Sequence, residues 1–325
     1  MATYKGIQGY SVQKLATDPT VSDAIGQLWY NSTEGAFKIA TESAGAWSSG
    51  GNMNTGRSAA VTTGDNTAAI TAGGTTGAPY VNTATSETYD GTSWTAVNSL
   101  VTARHKSGGN GISTACFVVG GTTSTGPGMM SNMEVWNGTC WSELNNLVAT
   151  TYACTGFGTT AAGLLTGEGL GPYSGATEKW NGTCWSEVNN LVTGNADAMG
   201  DGAQDAAAYV GGDAHKHQQY DGSCWSEKTY MTNNRISGSA AGITTSLLTF
   251  GGYDSGYGPP TNTPNVEKWD GSSWTEVANI ATPRTNTAGS GSTSNAIMNG
   301  GYPGYVQTTE EWADPVYAIK TVTVS

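Results

Sequence analysis

The sequence predicts an all-β protein, a six-bladed β-propeller closed by a strand from the N-terminal part of the chain. A six-residue phrase recurs five times: an aromatic residue, Asp or Asn, Gly, Ser or Thr, a small residue, and Trp. Each copy follows a short apolar segment that is rich in glycine at its end. The 325 residues include 47 glycines and 11 tryptophans but only 12% charged residues, which suits packed strands and tight turns.

The repeated phrase predicts two antiparallel strands joined by a tight turn. Asp-Gly and Asn-Gly tolerate positive φ angles at two-residue hairpin turns, and the flanking aromatic residues favour strands. Trp47 and the tryptophans that end the five phrases are separated by 47, 47, 44, 40 and 49 residues, the length of a propeller blade. The five copies occupy residues 89–94, 136–141, 180–185, 220–225 and 269–274.

A small, apolar strand precedes each phrase and is typical of the inner part of a blade, where strands crowd the axis. A further Gly-, Ser- and Ala-rich segment comes before each of these strands, which makes four strands per repeat. The apolar segments are residues 68–74, 116–121, 163–167, 207–212, 247–252 and 295–301.

Closure of the ring follows from a strand count. Trp47 stands before the first glycine-ended segment, and the pair Glu311-Trp312 follows the last one. We therefore expect residues 46–52 to complete the blade begun by residues 284–312, which removes exposed sheet edges. The predicted organisation is an attachment segment over 1–45, the propeller over 46–312 and a β-prone tail over 313–325.

The repeats resemble kelch repeats, in which Gly-Gly is followed by an aromatic residue and then by tryptophan. The resemblance covers roughly residues 46–312. It departs from the kelch pattern at the Asp/Asn-Gly turn, which leaves the aromatic residue and the tryptophan only five positions apart. The resemblance implies a kelch-like propeller.

The lead-in to the repeats resembles the N-terminal segment of kelch-like structural proteins of marine tailed phages. It reads Gly-Gln-Leu-Trp-Tyr-Asn-Ser-Thr over residues 26–33. The resemblance implies a virion component whose propeller faces outward and whose first 45 residues attach to other virion proteins. The residues expected to make this attachment are Leu28, Trp29, Tyr30 and Phe37.

The expected function is therefore that of a non-enzymatic virion structural protein, displayed on the tail like a fibre or adhesin for host-surface or protein binding. Two alternatives stay open: a capsid decoration protein with a structural role, and a secreted propeller lectin or glycan-active enzyme. Expected partners are other virion proteins, a host-surface glycan and further copies of the chain.

The termini are predicted to contain strands. Residues 27–39 predict a hairpin with its turn at 32–35. The tail over 317–324 is β-prone and is expected to pair either with this hairpin or with a neighbouring subunit.

All four arginines occupy one repeat position, ten residues after a tryptophan. Thr151 and Asn195 take this position in the other two repeats. One interpretation is a ring of guanidinium groups that binds an anionic sugar or a carboxylate, and the other is a role in holding neighbouring blades together. The arginines are Arg57, Arg104, Arg235 and Arg284.

The loops between the second and third strands of the repeats vary most in length, which favours a binding face. Their tyrosines offer rigid area and a hydroxyl for recognition, and the same rings stack on sugars. The candidate binding tyrosines are Tyr80, Tyr173, Tyr253, Tyr257, Tyr302 and Tyr305.

Other polar residues are expected to serve the framework. The recurring acids are predicted to form a solvated face at the blade edges: Glu87, Glu134, Glu178, Glu267 and Glu311, with Glu143, Glu187, Glu227 and Glu276. Cys140, Cys184 and Cys224 share one position and are expected to pack rather than to bond. Cys116 and Cys154 are expected to be buried.

Charge and histidine content argue against several function classes. The chain has 25 acidic and 13 basic residues, a net charge of −12, so nucleic-acid binding is not expected. No apolar run approaches the roughly 18 residues of a membrane-spanning helix, so membrane insertion is not expected. His215 and His217 are expected to be exposed, and no metal, cofactor or catalytic site is predicted.

Overall fold

The computed structural model describes residues 12–20, 24–42, 45–78, 81–123, 128–169, 175–212, 215–254, 261–314 and 317–322. Within these ranges the chain forms strands and turns and no α-helix, and hence no helix long and apolar enough to cross a membrane. Two compact units are distinguished by their internal contacts: Ala46–Ala313, and Met1–Gly45 together with Asp314–Ser325. The protein is therefore all-β, as predicted.

The strands are short, mostly of four or five residues. In chain order they are β1 (Gln13–Leu15), β2 (Leu28–Asn31), β3 (Ala36–Glu42), β4 (Ala46–Ser49), β5 (Val61–Gly64), β6 (Ala69–Ala72), β7 (Ser86–Tyr89), β8 (Trp94–Val97), β9 (Gly108–Ile112), β10 (Ala115–Val119), β11 (Met133–Trp136), β12 (Trp141–Leu144), β13 (Thr151–Gly158), β14 (Gly163–Gly169), β15 (Thr177–Trp180), β16 (Trp185–Val188), β17 (Met199–Ala203), β18 (Ala206–Gly211), β19 (Lys216–Tyr220), β20 (Trp225–Glu227), β21 (Ser239–Ile243), β22 (Ser246–Phe250), β23 (Tyr253–Asp254), β24 (Thr261–Asn262), β25 (Val266–Trp269), β26 (Trp274–Val277), β27 (Ala288–Gly291), β28 (Asn295–Asn299), β29 (Thr309–Ala313) and β30 (Tyr317–Thr321).

The larger unit contains one four-stranded antiparallel sheet for each repeat, and β23 pairs with β24 in a further two-stranded sheet. Among the described residues the four-stranded sheets of this unit are sheet 1 (β5–β8), sheet 2 (β9–β12), sheet 3 (β13–β16), sheet 4 (β17–β20), sheet 5 (β21, β22, β25, β26) and sheet 6 (β27, β28, β29, β4). Sheet 6 takes its last strand from the other end of the unit, because β4 pairs with β29 and places Trp47 opposite Trp312. The predicted pairing of the segment around Trp47 is therefore present.

The first strands of the sheets contact one another in sequence, β5 with β9, β9 with β13, and onward to β27, which contacts β5. Glycine permits this close approach. A Cβ atom on Gly156 of β13 would lie 2.5 Å from the backbone nitrogen of Gly109 on β9. The glycine-rich composition of these strands is therefore a packing requirement.

Aromatic pairs mark the last two strands of the sheets. Trp136 and Trp141 lie opposite each other with ring centroids 5.5 Å apart. The indole nitrogen of Trp141 reaches the preceding sheet, where it donates to the hydroxyl of Ser86 at 3.1 Å. Trp225 makes the equivalent bond to Thr177. The tryptophans thus fill the space between neighbouring sheets and also hydrogen-bond across it.

The turn inside the repeated phrase differs from the predicted one. Only its glycine has a positive φ angle, 89° at Gly91, whereas Asp90 accepts backbone N–H groups on its side chain. One oxygen of Asp90 accepts from Thr92 and Ser93 at 2.9 and 2.8 Å. Asn137, Asn181, Asp221 and Asp270 cap their turns in the same way. Asp and Asn are needed here as acceptors and not for their tolerance of positive φ.

The smaller unit contains one four-stranded sheet, ordered β1-β2-β3-β30 and called here the terminal sheet. β2 and β3 form the predicted hairpin with its turn at 32–35, and β30 pairs with β3, the first of the two predicted alternatives. On one side of this sheet Trp29 is buried and its indole nitrogen donates to Asp18 at 2.9 Å. Bonds from Trp29 and Asn31 lower the pKa of Asp18.

Candidate functional site

The repeat-position arginines lie inside the sheets, as Arg104 of sheet 2 illustrates. Its guanidinium group donates to the carbonyl oxygens of Gly120 and Asn132 at 3.1 and 2.8 Å and to Glu134 on β11 at 2.6 Å. Glu134 also accepts the backbone N–H groups of Val101 and Thr102. Arg104 is 1% exposed and Glu134 is fully buried, and burial lowers the pKa of Arg104.

Three further sheets repeat this ion pair. The nitrogen-to-oxygen distances are 2.7 Å for Arg57–Glu87, 3.2 Å for Arg235–Glu267 and 2.8 Å for Arg284–Glu310. The prediction that Glu87, Glu134, Glu178 and Glu267 lie on a solvated face was wrong, because all four are buried. Glu87, Glu134 and Glu267 each neutralise a guanidinium group there. In sheet 6 the pairing residue is Glu310 and not the neighbouring Glu311.

The same residues also join neighbouring sheets through the backbone. The carbonyl oxygen of Arg104 accepts the N–H of Gly74 in sheet 1 at 2.8 Å. The carbonyl oxygen of Arg57 accepts the N–H of Gly301 in sheet 6, also at 2.8 Å. The carbonyl oxygen of Thr151 accepts the N–H of Gly121 in the same way, so this contact between sheets does not require an arginine side chain. The four arginine side chains are buried and present almost no surface to a ligand.

Sheets 3 and 4 lack the ion pair. In sheet 3 Thr151 replaces arginine, and Glu178 accepts the N–H groups of Val148 and Ala149 without a guanidinium partner. Burial raises the pKa of Glu178. In sheet 4 both positions are neutral, with Asn195 donating to Gly211 at 2.6 Å and Gln218 donating to a backbone oxygen at 2.9 Å.

A cavity of about 140 Å³ is lined by one short segment from each of the six sheets. The first residue of each lining segment has a φ angle between 50° and 54°: Ala59, Lys106, Ala153, Asp197, Ser237 and Asn286. Their backbones are linked in succession, since Lys106 donates to Ala59, Ala153 to Lys106, and Ala59 to Asn286. Sequence reasoning missed this set, although each member lies twelve residues after a tryptophan.

Two polar bridges join sheets 2 and 4, and the first of them is formed by residues that line the cavity. The ammonium group of Lys106 is 2.8 Å from Asp197. Four residues further along the chain from each of them, the side chain of Asn110 donates to Asp201 at 2.9 Å. The other oxygen of Asp201 accepts the N–H of Gly242 in sheet 5. Burial raises the pKa of Asp201 to about 6, against the opposite effect of its N–H donors.

One candidate tyrosine, Tyr253, lines a second cavity of about 210 Å³ together with His105 and Asn286 among others. Tyr302 is 49% exposed, and its ring centroid lies 6.0 Å from that of Tyr305. The loops of sheets 5 and 6 are connected, because Asn262 donates to the carbonyl oxygen of Tyr302 at 3.1 Å. The candidates Tyr80, Tyr173 and Tyr257 lie outside the described residues.

The cysteines and histidines occupy partly unexpected positions. Cys140, Cys184 and Cys224 are exposed and reduced, so the prediction of a packing role was wrong, whereas Cys116 and Cys154 are buried as expected.

His217, predicted to be exposed, is fully buried against the rings of Trp269 and Trp274, and burial lowers its pKa to about 4. Across the described ranges no cluster of three or more His, Cys, Asp or Glu side chains is placed to hold a metal ion.

The candidate attachment residues divide between two sides of the terminal sheet. Leu28 and Phe37 are 39% and 43% exposed, and the ring of Tyr30 packs edge-on against Phe37 at 5.2 Å. Trp29 lies on the other side and is 2% exposed, so its ring is not available to a partner.

No protein-family model matches the chain, and no curated protein matches it either.

Proposed function

We propose that the chain is a non-enzymatic structural protein of a phage virion, a six-bladed kelch-like β-propeller that a small terminal unit attaches to the particle. The lead-in over residues 26–33 supports the virion assignment through its resemblance to phage structural proteins. The propeller would be displayed on the tail and would bind a host-surface glycan or protein.

Closure of the six sheets into a ring is supported by the contacts between sheets 6 and 1. The backbone of Ala59 donates to Asn286 at 2.8 Å, and Gly301 donates to Arg57 at the same distance. Strand β27 also contacts β5. An electron cryo-microscopy reconstruction should display six blades around one axis, and an open or five-membered arrangement would contradict the proposed closure.

One observation carries the proposal of binding rather than catalysis. The four repeat-position arginines are paired with acids inside the sheets, whereas the ring of Tyr302 on a variable loop is 49% exposed. A catalytic carboxylate needs access to a substrate, which Glu87 and Glu134 lack. Exposed tyrosines such as Tyr302 supply rigid contact area that suits recognition of a sugar or protein surface.

The virion assignment is tested by mass spectrometry of purified particles of the phage that encodes the chain. The chain should be present at a stoichiometric level and should stay with the particle through density-gradient purification. Its absence from such particles would refute the assignment.

The binding role is tested with the fluorescently labelled full chain on host cells. Tyr302→Ala should reduce cell binding several-fold, since it removes the more exposed ring of the pair. Tyr230→Ala is the matched control, because Tyr230 is 40% exposed but lies outside these loops. Equal binding by wild type and both variants would remove the loops of sheets 5 and 6 from the binding site.

A further inference from the structure

The terminal sheet carries an apolar outer face whose residues are fixed by strand register. Directly paired residues in a sheet project to the same side. Tyr30 is paired with Lys14 on one neighbouring strand and with Phe37 on the other. One row of the face is therefore Lys14, Tyr30 and Phe37.

A second row lies beside the first. Ile39 is paired with Leu28 on β2 and with Lys320 on β30. Since Ile39 is two residues from Phe37, both rows project to the same side of the sheet. Together they form the outer face of the terminal sheet, with four apolar side chains in the middle and one lysine at each edge.

The two sides of the terminal sheet differ sharply in burial. On the inner side Trp29 and Ala40 are 2% and 1% exposed and pack with Ala24. On the outer side Leu28 and Phe37 keep about two fifths of their surface exposed, at 39% and 43%. Adjacent exposed apolar side chains on one sheet face are typical of an interaction surface.

The lysines give this face a charge opposite to that of the whole chain, which has a net charge of −12. Lys14 and Lys320 are both exposed, and within the described ranges neither lies in salt-bridge distance of an acidic side chain. Lys38, by contrast, is buried on the inner side and is paired with Glu34.

We propose that the outer face of the terminal sheet docks onto a protein surface that is apolar at its centre and acidic at its rim. This proposal rests on the proposed virion function and identifies the surface through which the chain would be attached. Apolar burial would supply most of the affinity, and the two lysines would fix orientation against acidic groups of the partner. A second copy of the face is a poor occupant, because a two-fold arrangement brings lysine against lysine.

The test uses the full chain produced during infection in two variant forms, with retention on gradient-purified particles measured by quantitative mass spectrometry. Leu28→Ser/Phe37→Ser removes the apolar centre, and Lys14→Glu/Lys320→Glu reverses the charge of the edges. Each double variant should reduce retention about tenfold or more. The control Val101→Ser/Val148→Ser changes two side chains of the larger unit that are 61% and 60% exposed, and it should be retained like wild type.

Each other result has a defined meaning. Retention of both double variants at the wild-type level overturns the docking proposal and leaves the virion function standing, whereas absence of the wild-type chain from particles overturns both. Light scattering of the isolated chain should give a molar mass that Leu28→Ser/Phe37→Ser does not change. A dimer that this double variant dissociates would instead assign the face to a second copy of the chain. Thermal unfolding of each variant shows whether it is folded. If Leu28→Ser/Phe37→Ser is destabilised, the result for Lys14→Glu/Lys320→Glu decides whether the docking proposal stands.

Discussion

Sheets 2 and 3 have the same strand arrangement, but the buried acid of each sheet has different hydrogen-bonding and charged partners. Sheet 2 buries a full ion pair, in which Arg104 satisfies two carbonyl oxygens and neutralises Glu134. Sheet 3 retains the acid, Glu178, and its two backbone donors but has Thr151 where the arginine would be. The carboxylate therefore organises the loop in both sheets, and the guanidinium group is a separate component.

In sheet 4 the residues at the arginine and the acid positions make hydrogen bonds to the backbone without carrying a charge. Gln218 accepts and donates to the backbone of Thr193, and Asn195 takes over the bond to the carbonyl oxygen that ends the second strand. The repeated geometry thus requires hydrogen-bonding capacity at two positions, and charge at these positions is optional. A buried ion pair is not in itself evidence of high stability, since desolvation opposes the attraction between its charges.

The largest expected effect comes from breaking the pair in sheet 2. Arg104→Ala leaves Glu134 buried without a cation and removes one donor from each of two carbonyl oxygens, which should cost about 3–5 kcal/mol of unfolding free energy. Urea denaturation of the full chain measures it. A loss below about 1 kcal/mol would mean that the guanidinium group contributes little to the stability of sheet 2.

The neutral equivalent should cost less. Asn195→Ala in sheet 4 removes one buried donor, so we expect a loss of about 1–3 kcal/mol in the same denaturation experiment. If Asn195→Ala proves as damaging as Arg104→Ala, then the lost backbone bond explains both effects and the charge does not.

Sheet 3 should show a pH dependence that comes from its unpaired acid. Burial raises the pKa of Glu178 above its ordinary value of 4.5, so the folded protein binds this proton more tightly than the unfolded chain. The contribution of Glu178 to stability is therefore greatest below that ordinary value and is lost as the pH rises through the raised pKa. Glu178→Gln should reduce this loss in thermal unfolding measured at several pH values, whereas the exposed Glu143→Gln should leave it unchanged.

The smallest loss of stability should come from removing the hydrogen bond of the Trp141 indole nitrogen in sheet 2, since the equivalent Trp185 of sheet 3 has no such bond within the described ranges. Trp141 donates to Ser86, whereas Trp185 shares an apolar cluster with Met133 and its buried indole nitrogen has no acceptor among the described residues. Ser86→Ala should therefore destabilise the protein by about 1 kcal/mol. Thermal unfolding measures the change. Ser142→Ala, at an exposed position, is the control and should leave the unfolding temperature unchanged.

The architecture could largely be predicted from the repeat because each element has a local cause. Glycine spacing, the Asp/Asn-Gly phrase and the flanking aromatic residues specify strands and turns within a few residues of the sequence. The hairpin at 27–39 was found for the same reason. The turn chemistry was predicted only in part, since the pattern does not distinguish a residue with positive φ from one that caps the turn with its side chain.

The sequence by itself determined the number of repeats, their strands and the shared position of the four arginines. Tertiary structure alone decided that these arginines meet Glu87, Glu134, Glu267 and Glu310 inside the sheets, because each partner lies 26 to 32 residues along the chain. It also decided which side of the terminal sheet buries Trp29 and which side exposes Phe37. Strand alternation separates the two sides, but only packing against other segments selects the one that becomes the core.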